Sequence, residues 1–366
     1  MRVIMSGGGT GGHIYPAIAI ADKIKRKNPN SSILFVGTEK GMESRLVPEN
    51  GYEISYISAG GLNRKNLFKN LGTMRDLMKG CSQAGRILAD YRPDLVIGTG
   101  GYVSVPVLWA AVRKKVPVYI HEQNAFPGLA NRMLGRYAKK IFISFPESER
   151  YFKQKDRVLL TGNPVRKEFI LSGIVDYRSK HGIGPAEFMV LSFGGSRGAE
   201  KINQSVLALA ESLSKIAGIK LIHITGTRYF EEFRKKLNER AAGNEGSITV
   251  LPYTDVMHEY MLAADLVICR SGAITVAELT ACGKPSILIP SPNVTANHQY
   301  HNAKSIADGG GGILIEEKEL TEEKLTGAVM RLINNREALN TMAAASSSLG
   351  RTDGADAIFS ALELQS

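Results

Sequence analysis

The apolar positions of this chain fall into two kinds of run. Short stretches that are apolar at every position alternate with longer ones in which apolar residues recur every three or four places. The first kind suits a strand covered on both faces, the second a helix with one covered face. Arg2–Met5 reads as a strand; it leads through SGGGTGGH into a helix near Pro16–Lys27, and Ile33–Val36 reads as a second strand. The run DLVIG from Asp94 enters another glycine turn, and Val116–His121 is a further buried strand. The pattern then restarts with the strand Phe188–Phe193, the turn GGSRGA and a helix over Ile202–Leu213. Leu221–Thr225, Asp265–Cys269 and Ser286–Pro290 supply more strands.

Fully apolar strands alternating with helices predict parallel βαβ units. Two such series, in a chain of 366 residues, predict two doubly wound α/β domains, since one core rarely grows so large. The boundary is expected in the Pro- and Gly-containing stretch Thr161–Pro185, and the Ala/Ser-rich segment 338–364 has the spacing of helix that packs back on the first domain. Open sheets of this kind bind ligands at the carboxyl ends of their strands. Two sheets facing across a cleft would bring two such edges together, an arrangement suited to a two-substrate transfer.

Charge sharpens the picture. The formal net charge is +11, yet residues 1–160 hold 25 Lys and Arg against 12 Asp and Glu, while residues 161–366 hold 21 against 23. A one-sided basic excess suits an anionic surface, a nucleic acid or a pyrophosphate, or serves only solubility. Nucleic acid is disfavoured, because aromatic residues make up only 7% and do not interleave with the basic ones. Between Gly60 and Lys79 the run GGLNRKNLFKNLGTMRDLMK mixes Arg64, Lys65, Lys69, Arg75 and Lys79 with Leu67, Phe68 and Leu71. It reads as an interfacial membrane contact, joined by Trp109, or as an amphipathic helix covering the sheet. No stretch approaches the roughly 18 apolar residues of a membrane span, and MRVIMSGGG lacks the apolar core of a signal peptide. Cys81, Cys269 and Cys282 show neither CxxC spacing nor a His-rich setting, so a reduced, cytosolic compartment is expected and a cysteine zinc site is not.

Candidate chemistry gathers at the strand ends. Gly7–Gly12 formally matches G-x-G-x-x-G, which a dinucleotide, another phosphate or merely a tight turn can use. A dinucleotide would also want an acidic residue closing the second strand, for which Glu39 is the nearby candidate. His13 follows the loop directly; an imidazole, with its ordinary pKa near 6.5, is placed there to take a proton from a hydroxyl or is simply structural. Gly98–Tyr102 is another strand-end loop, and His121, Glu122, Gln123 and Asn124 follow an apolar strand as an active edge or a surface loop. In the second half, the amides of Gly194–Ala199, the Ser196 hydroxyl and the following helix suit a diphosphate. Ser271 is a plausible N-cap, and Glu278, two turns further on, can accept both hydrogen bonds of a ribose diol or be an ordinary helix residue. There is no D-x-D pair, Walker motif or HExxH, so no carboxylate-clamped cation is indicated.

The motifs GGGTGGHIYP, GTGGYVSVP, HEQN, GNPVR (162–166), GGSRGA, CRSGAITVAEL and HQYHNA occur in the order and form of one family. Over nearly its whole length the chain resembles the MurG family of bacterial peptidoglycan glycosyltransferases. The resemblance implies a GT-B fold: residues 1–163 as an acceptor- and membrane-binding domain on which 343–366 packs back, and 164–342 as the donor domain. It implies UDP-N-acetylglucosamine as donor, lipid I as acceptor, inversion at the anomeric carbon, and neither metal nor cofactor. The setting it implies is the cytoplasmic membrane face, within a cell-wall synthesis complex. By motif, Thr10, Gly11 and Gly12 flank the donor sugar and Asn124 contacts it, with Arg166, Ser196 and Gln299 completing the donor contacts. Thr254 takes the position whose backbone meets uracil, where the family more often has Ile, which limits it to main-chain recognition. Glu278 would hold the ribose, His13 would be the general base, and His298 stands where some relatives carry a second Gln. The rival readings are another GT-B glycolipid transferase and an NAD-dependent oxidoreductase.

Overall fold

Strands that are apolar on both sides need cover on both sides, and that requirement organises each half of the chain. A computed structural model describes residues 1–61, 70–170, 175–195, 197–240 and 247–362. The chain divides into two units, Met1–Val165 with the segment from Asp353 on, and Arg166–Thr352.

The described residues of the first unit form a seven-stranded sheet: β1 (Arg2–Gly7), β2 (Ser32–Gly37), β3 (Glu53–Tyr56), β4 (Leu95–Gly100), β5 (Val118–Glu122), β6 (Lys140–Ile143) and β7 (Val158–Leu160). The order is β3-β2-β1-β4-β5-β6-β7, and every pairing is parallel. Alternate residues of β1 feed opposite layers. Val3 and Met5 pack with Ile14, Ala17, Ile18 and Ala21 of the helix Gly11–Lys27 and with Ile358 of the helix Gly354–Ala361. Ile4 packs with Val96, Ile120, Ala84, Leu88 and Val107 on the other face, which the helices Asn70–Tyr91 and Ser104–Arg113 cover. Lys23 also pairs with Asp356 across the first layer.

The second unit repeats the plan with β8 (Phe188–Phe193), β9 (Ile219–Ile224), β10 (Ile248–Leu251), β11 (Leu266–Cys269), β12 (Ser286–Leu288) and β13 (Gly312–Leu314). Their order is β10-β9-β8-β11-β12-β13, again parallel throughout. Val190, Leu221, Ile268 and Ile287 form a core with Ile202, Val206 and Leu209 of the helix Glu200–Leu213 and Leu325 and Val329 of the helix Glu322–Ile333.

Two boundaries differ from the sequence reading. The first helix begins at Gly11, five residues before Pro16, because an N-terminal turn makes few helical hydrogen bonds and tolerates glycine. The Ala/Ser-rich tail is two helices: Arg336–Leu349 belongs to the second unit, while Gly354–Ala361 lies against the helix Gly11–Lys27 of the first. The strand order reverses between β1 and β4 and again between β8 and β11. Ligands of open parallel sheets settle outside the carboxyl ends at such reversals.

Candidate active site

In the first unit, the loop after β1 meets the end of β4. Gly8 N–H donates to the Gly100 carbonyl at 3.4 Å, and Gly9, at φ +82°, donates to Glu43 Oε2 at 3.0 Å. Glu43 is buried; its other oxygen accepts from the Thr38 amide at 3.0 Å and the Thr38 hydroxyl at 2.7 Å. A Cβ on Gly8 would lie 2.6 Å from the Glu43 carboxyl carbon. The first part of the loop is therefore tied down by the protein's own carboxylate, which takes the amide a dinucleotide pyrophosphate would need. Glu39 does not enter this network. Thr10 is the extended residue that starts the helix and stands exposed. Its carbonyl accepts from the His13 and Ile14 amides, leaving the N–H groups of Thr10, Gly11 and Gly12 without partners among the described residues.

His13 sits in the first turn, half-buried. Its Nδ1 is 3.0 Å from the Thr99 carbonyl and 3.0 Å from Gln123 Oε1. Both neighbours are acceptors, so Nδ1 carries a proton, and in the neutral ring it is Nε2 that holds the lone pair. The Thr99 hydroxyl donates to the His13 carbonyl at 2.7 Å and fixes the backbone as well.

His121, Glu122 and Gln123 are buried rather than exposed at a loop. Glu122 accepts from the Asn124 amide and Asn124 Nδ2, at 3.0 and 3.2 Å, and from the Gly128 amide and Asn131 Nδ2, at 3.0 and 2.9 Å. One buried carboxylate thus shapes the turn that carries Asn124, repaid by hydrogen bonds as buried charge requires. Burial pushes the His121 pKa down to about 4, so this imidazole is neutral.

In the second unit the glycine turn after β8 closes with Gly198 N–H donating to the Gly195 carbonyl at 2.9 Å. Gly195 and Gly198 take φ +89° and +72°, values that disfavour a side chain. Asn203 Nδ2 donates to the Thr225 carbonyl at 3.0 Å, tying the helix behind the turn to the end of β9. A cavity of about 510 Å³ opens here, lined by Gly194, Gly195, Gly198, Arg270, Ser291 and Gln299 among others. Ser196 lies outside the described residues. Arg270 donates to the carbonyls of Ile289 and Pro290, each at 3.1 Å, and pairs with Glu317.

Gln299 Oε1 accepts from the Ser291 amide at 2.9 Å, so the amide offers its NH₂ end as the remaining polar group. Ser271 Oγ donates to the Gln299 carbonyl at 2.8 Å and does not cap its own helix, whose N-cap residue is Gly272. His298 Nδ1 is 2.9 Å from the Thr295 carbonyl; the segment before it, Ala296 and Asn297, holds φ of +54° and +52°, a strained conformation for non-glycine residues. The Thr254 hydroxyl accepts from the Val256 amide at 3.2 Å.

Glu278 is 6% exposed, while Arg166 Nε donates to its Oε1 at 2.7 Å. Burial pushes the carboxyl pKa up, and the guanidinium opposes that shift. Neither residue lines the 510 Å³ cavity. Among the described residues, no group of three or more His, Cys, Asp or Glu side chains is arranged to hold a metal ion.

Residues 3–143 match the glycosyltransferase family 28 N-terminal domain, and residues 189–358 match the glycosyltransferase family 28 C-terminal domain. A relative from Acetivibrio thermocellus, named UDP-N-acetylglucosamine--N-acetylmuramyl-(pentapeptide) pyrophosphoryl-undecaprenol N-acetylglucosamine transferase, is 47% identical over 98% of this chain and 96% of its own. A relative of the same name from Clostridioides difficile is 44% identical over 98% of this chain and 88% of its own. Among solved structures, Acinetobacter baumannii MurG superposes with a TM-score of 0.80 at 28% identity, covering 98% of each chain. The UDP-GlcNAc 2-epimerase of Neisseria meningitidis, bound to UDP-GlcNAc, reaches 0.70 at 16% identity over 98% of this chain and 99% of that one, a likeness of fold alone. The two parallel-sheet units are the halves of a GT-B fold. The chain belongs to glycosyltransferase family 28 and, within it, to the MurG family.

Proposed function

We propose that the protein transfers N-acetylglucosamine from UDP-N-acetylglucosamine to the C4 hydroxyl of the N-acetylmuramoyl residue of lipid I, forming lipid II. The observation that carries the chemistry is the His13 imidazole: with Nδ1–H held by two oxygen acceptors, Nε2 is the basic nitrogen. The acceptor hydroxyl attacks C1 of the donor sugar while Nε2 takes its proton. The bond from C1 to the β-phosphate oxygen breaks, the electron pair leaves with UDP, and a single displacement inverts C1 to the β-1,4 linkage. Residues 1–163 serve the acceptor and 164–342 the donor. Thr10, Gly11, Gly12 and Asn124 attend the sugar, Arg166 and Ser196 the diphosphate, Thr254 the uracil through its backbone, Glu278 the ribose and Gln299 the sugar hydroxyls through its NH₂ group. The test is transfer of labelled N-acetylglucosamine to a short-chain lipid I analogue with EDTA present; no labelled product, or EDTA-sensitive turnover, rejects this scheme.

The acceptor's lipid implies work at a membrane surface. No described helix is long and apolar enough to cross a bilayer. A cavity of about 930 Å³ lies among the helices Asn70–Tyr91, Ser104–Arg113 and Leu129–Leu134, with Met78, Trp109, Met133 and Tyr137 in its lining and Arg113, Lys114 and Arg136 beside them. Met78 and Met133 are 64% and 53% exposed. Exposed apolar side chains ringed by cations favour peripheral binding to an anionic leaflet, on the cytoplasmic face where the donor nucleotide is found. The basic run from Leu62 to Lys69 lies outside the described residues.

A further inference from the structure

His13 is oriented by a chain of groups that ends in the buried interior of the first unit. Gln123 Nε2 donates to the His121 carbonyl at 3.1 Å and to His121 Nδ1 at 3.0 Å. The carbonyl can only accept, so it fixes which end of the amide faces inward and leaves Gln123 Oε1 against His13 Nδ1 at 3.0 Å. His121 is locked in turn: its Nε2 lies 3.3 Å from the Gly162 carbonyl and 3.4 Å from Ser144 Oγ, whose own proton goes to the Glu122 carbonyl at 2.9 Å. Nε2 therefore donates, and Nδ1 holds the lone pair that receives Gln123. Asn131 Nδ2 steadies the same strand end, donating to the His121 carbonyl at 3.3 Å. Gln123 and His121 are both buried, which shields the bonds between them from bulk water.

We infer that Gln123 is a positioning residue for the transfer: held by His121, it accepts a hydrogen bond from His13 Nδ1–H so that Nε2 faces the reacting hydroxyl, and it supports the imidazolium formed when Nε2 takes the hydroxyl proton. No proton passes along the chain. Nδ1–H stays on His13 throughout, and the proton gained at Nε2 leaves to solvent after turnover. The acceptor is a neutral amide, so the base is oriented without a buried carboxylate at its back. The inference rests on the general-base reading of His13.

Two readouts test it. In the substrate-free enzyme labelled with ¹⁵N-histidine, long-range ¹⁵N–¹H spectra assign a tautomer to each ring, and loss of one signal set in His13→Ala identifies His13. The expected neutral form is Nδ1–H; the Nε2–H form overturns the inference without reference to activity. Gln123→Met keeps the volume and removes the acceptor. It should lower kcat by about 10–100-fold, the loss of one hydrogen bond to a charged group, with KM for the donor and UDP affinity within about twofold. Gln123→Glu restores an acceptor and should recover at least about half of that loss on a logarithmic scale. Equal kcat in Gln123→Met and wild type, or a Gln123→Glu enzyme no better than Gln123→Met, overturns the inference. A His13→Ala enzyme with wild-type turnover would instead remove the general-base reading, while the tautomer measurement would still report on the orientation.

Discussion

Replacing Glu278 with Gln separates what the residue does for binding from what it does to stability. The carboxylate is almost wholly buried, and its ion-pair partner among the described residues, the Arg166 side chain, is 46% exposed at 2.7 Å. An exposed guanidinium is well screened and loses little when its partner turns neutral, whereas a buried carboxylate carries a desolvation penalty that an amide of the same shape avoids. If Glu278 holds both ribose hydroxyls, the swap turns two charge-assisted hydrogen bonds into neutral ones. Each falls from about 1.5–3 to about 0.5–1.5 kcal/mol, so the pair costs about 2–3 kcal/mol, roughly 30- to 150-fold in UDP affinity.

Stability should move the other way. Burial raises the Glu278 pKa in the folded protein, so the folded state holds this proton to higher pH than the unfolded chain does. Between the two pKa values the folded state binds more protons, and this group's contribution, fully present below the unfolded pKa, is lost as pH rises through the folded pKa. Glu278→Gln has no such slope. At pH 8 the variant should melt higher than wild type, by roughly 2–4 °C for each kcal/mol gained, and the advantage should vanish toward pH 4. Calorimetric titration with UDP and thermal melts across pH 4–8 read both effects. A variant that binds UDP normally removes Glu278 from the ribose site, and one that melts lower at pH 8 than at pH 4, relative to wild type, shows that the Arg166 pair outweighs burial.

The other predictions concern the first unit. His13→Ala should lower kcat by about 10²–10⁴-fold, the usual worth of base catalysis, while calorimetry shows UDP binding intact; near-normal turnover removes His13 from the role. Vesicles rich in anionic lipid should retain the enzyme at low salt and release it as ionic strength rises, and Met78→Glu with Met133→Glu should abolish retention in a sedimentation assay; equal binding to neutral vesicles refutes the charge argument. His121, with its pKa lowered by burial to about 4, must gain a proton on unfolding below its ordinary value near 6.5. Stability should therefore fall as pH drops from 6.5 toward 4, by up to about 3 kcal/mol, measured as urea unfolding at each pH, and His121→Gln should flatten that limb.

The strands that sequence alone exposed are those whose burial is continuous. β1, β4, β8 and β11 sit centrally in their sheets, so nearly every side chain is apolar and the run announces itself. β3, β7, β10 and β13 lie at the edges; their residues are mostly half-buried, and their apolar runs are short, as in Val158–Leu160, or broken by a polar residue, as at Thr249 and Ser55. The helix start at Gly11 was hidden for a related reason, since Gly11 and Gly12 have poor intrinsic propensity and their position is set by the loop fastened to Glu43. Nothing in the spacing from Gly9 to Glu43 signals that contact, because it depends on how the helix Glu43–Glu49 leaves β2.

The strand-end turns were easier to read than the contacts among them, and the topology explains why. In a parallel sheet every strand ends on the same edge, so a glycine turn after an apolar run is placed at the ligand edge whatever the strand order. The turns after β1 and β4, and those after β8 and β11, border the two reversals of strand order, and all four are visible as glycine-bearing breaks in apolar runs. Which side chains meet there is another matter. His13 is bound to Thr99 and Gln123, 86 and 110 residues away, and Arg166 to Glu278, 112 residues away. Periodicity reports on neighbours within a turn or a strand; it carries no term for partners joined only by sheet order. The polar cluster HEQN shows the limit. Its composition left an active edge and a surface loop both open, and three of its four residues are buried, because main-chain carbonyls and amides at the sheet edge help complete their hydrogen bonds. A polar residue after an apolar strand can therefore remain part of the interior when the adjoining backbone supplies its partners.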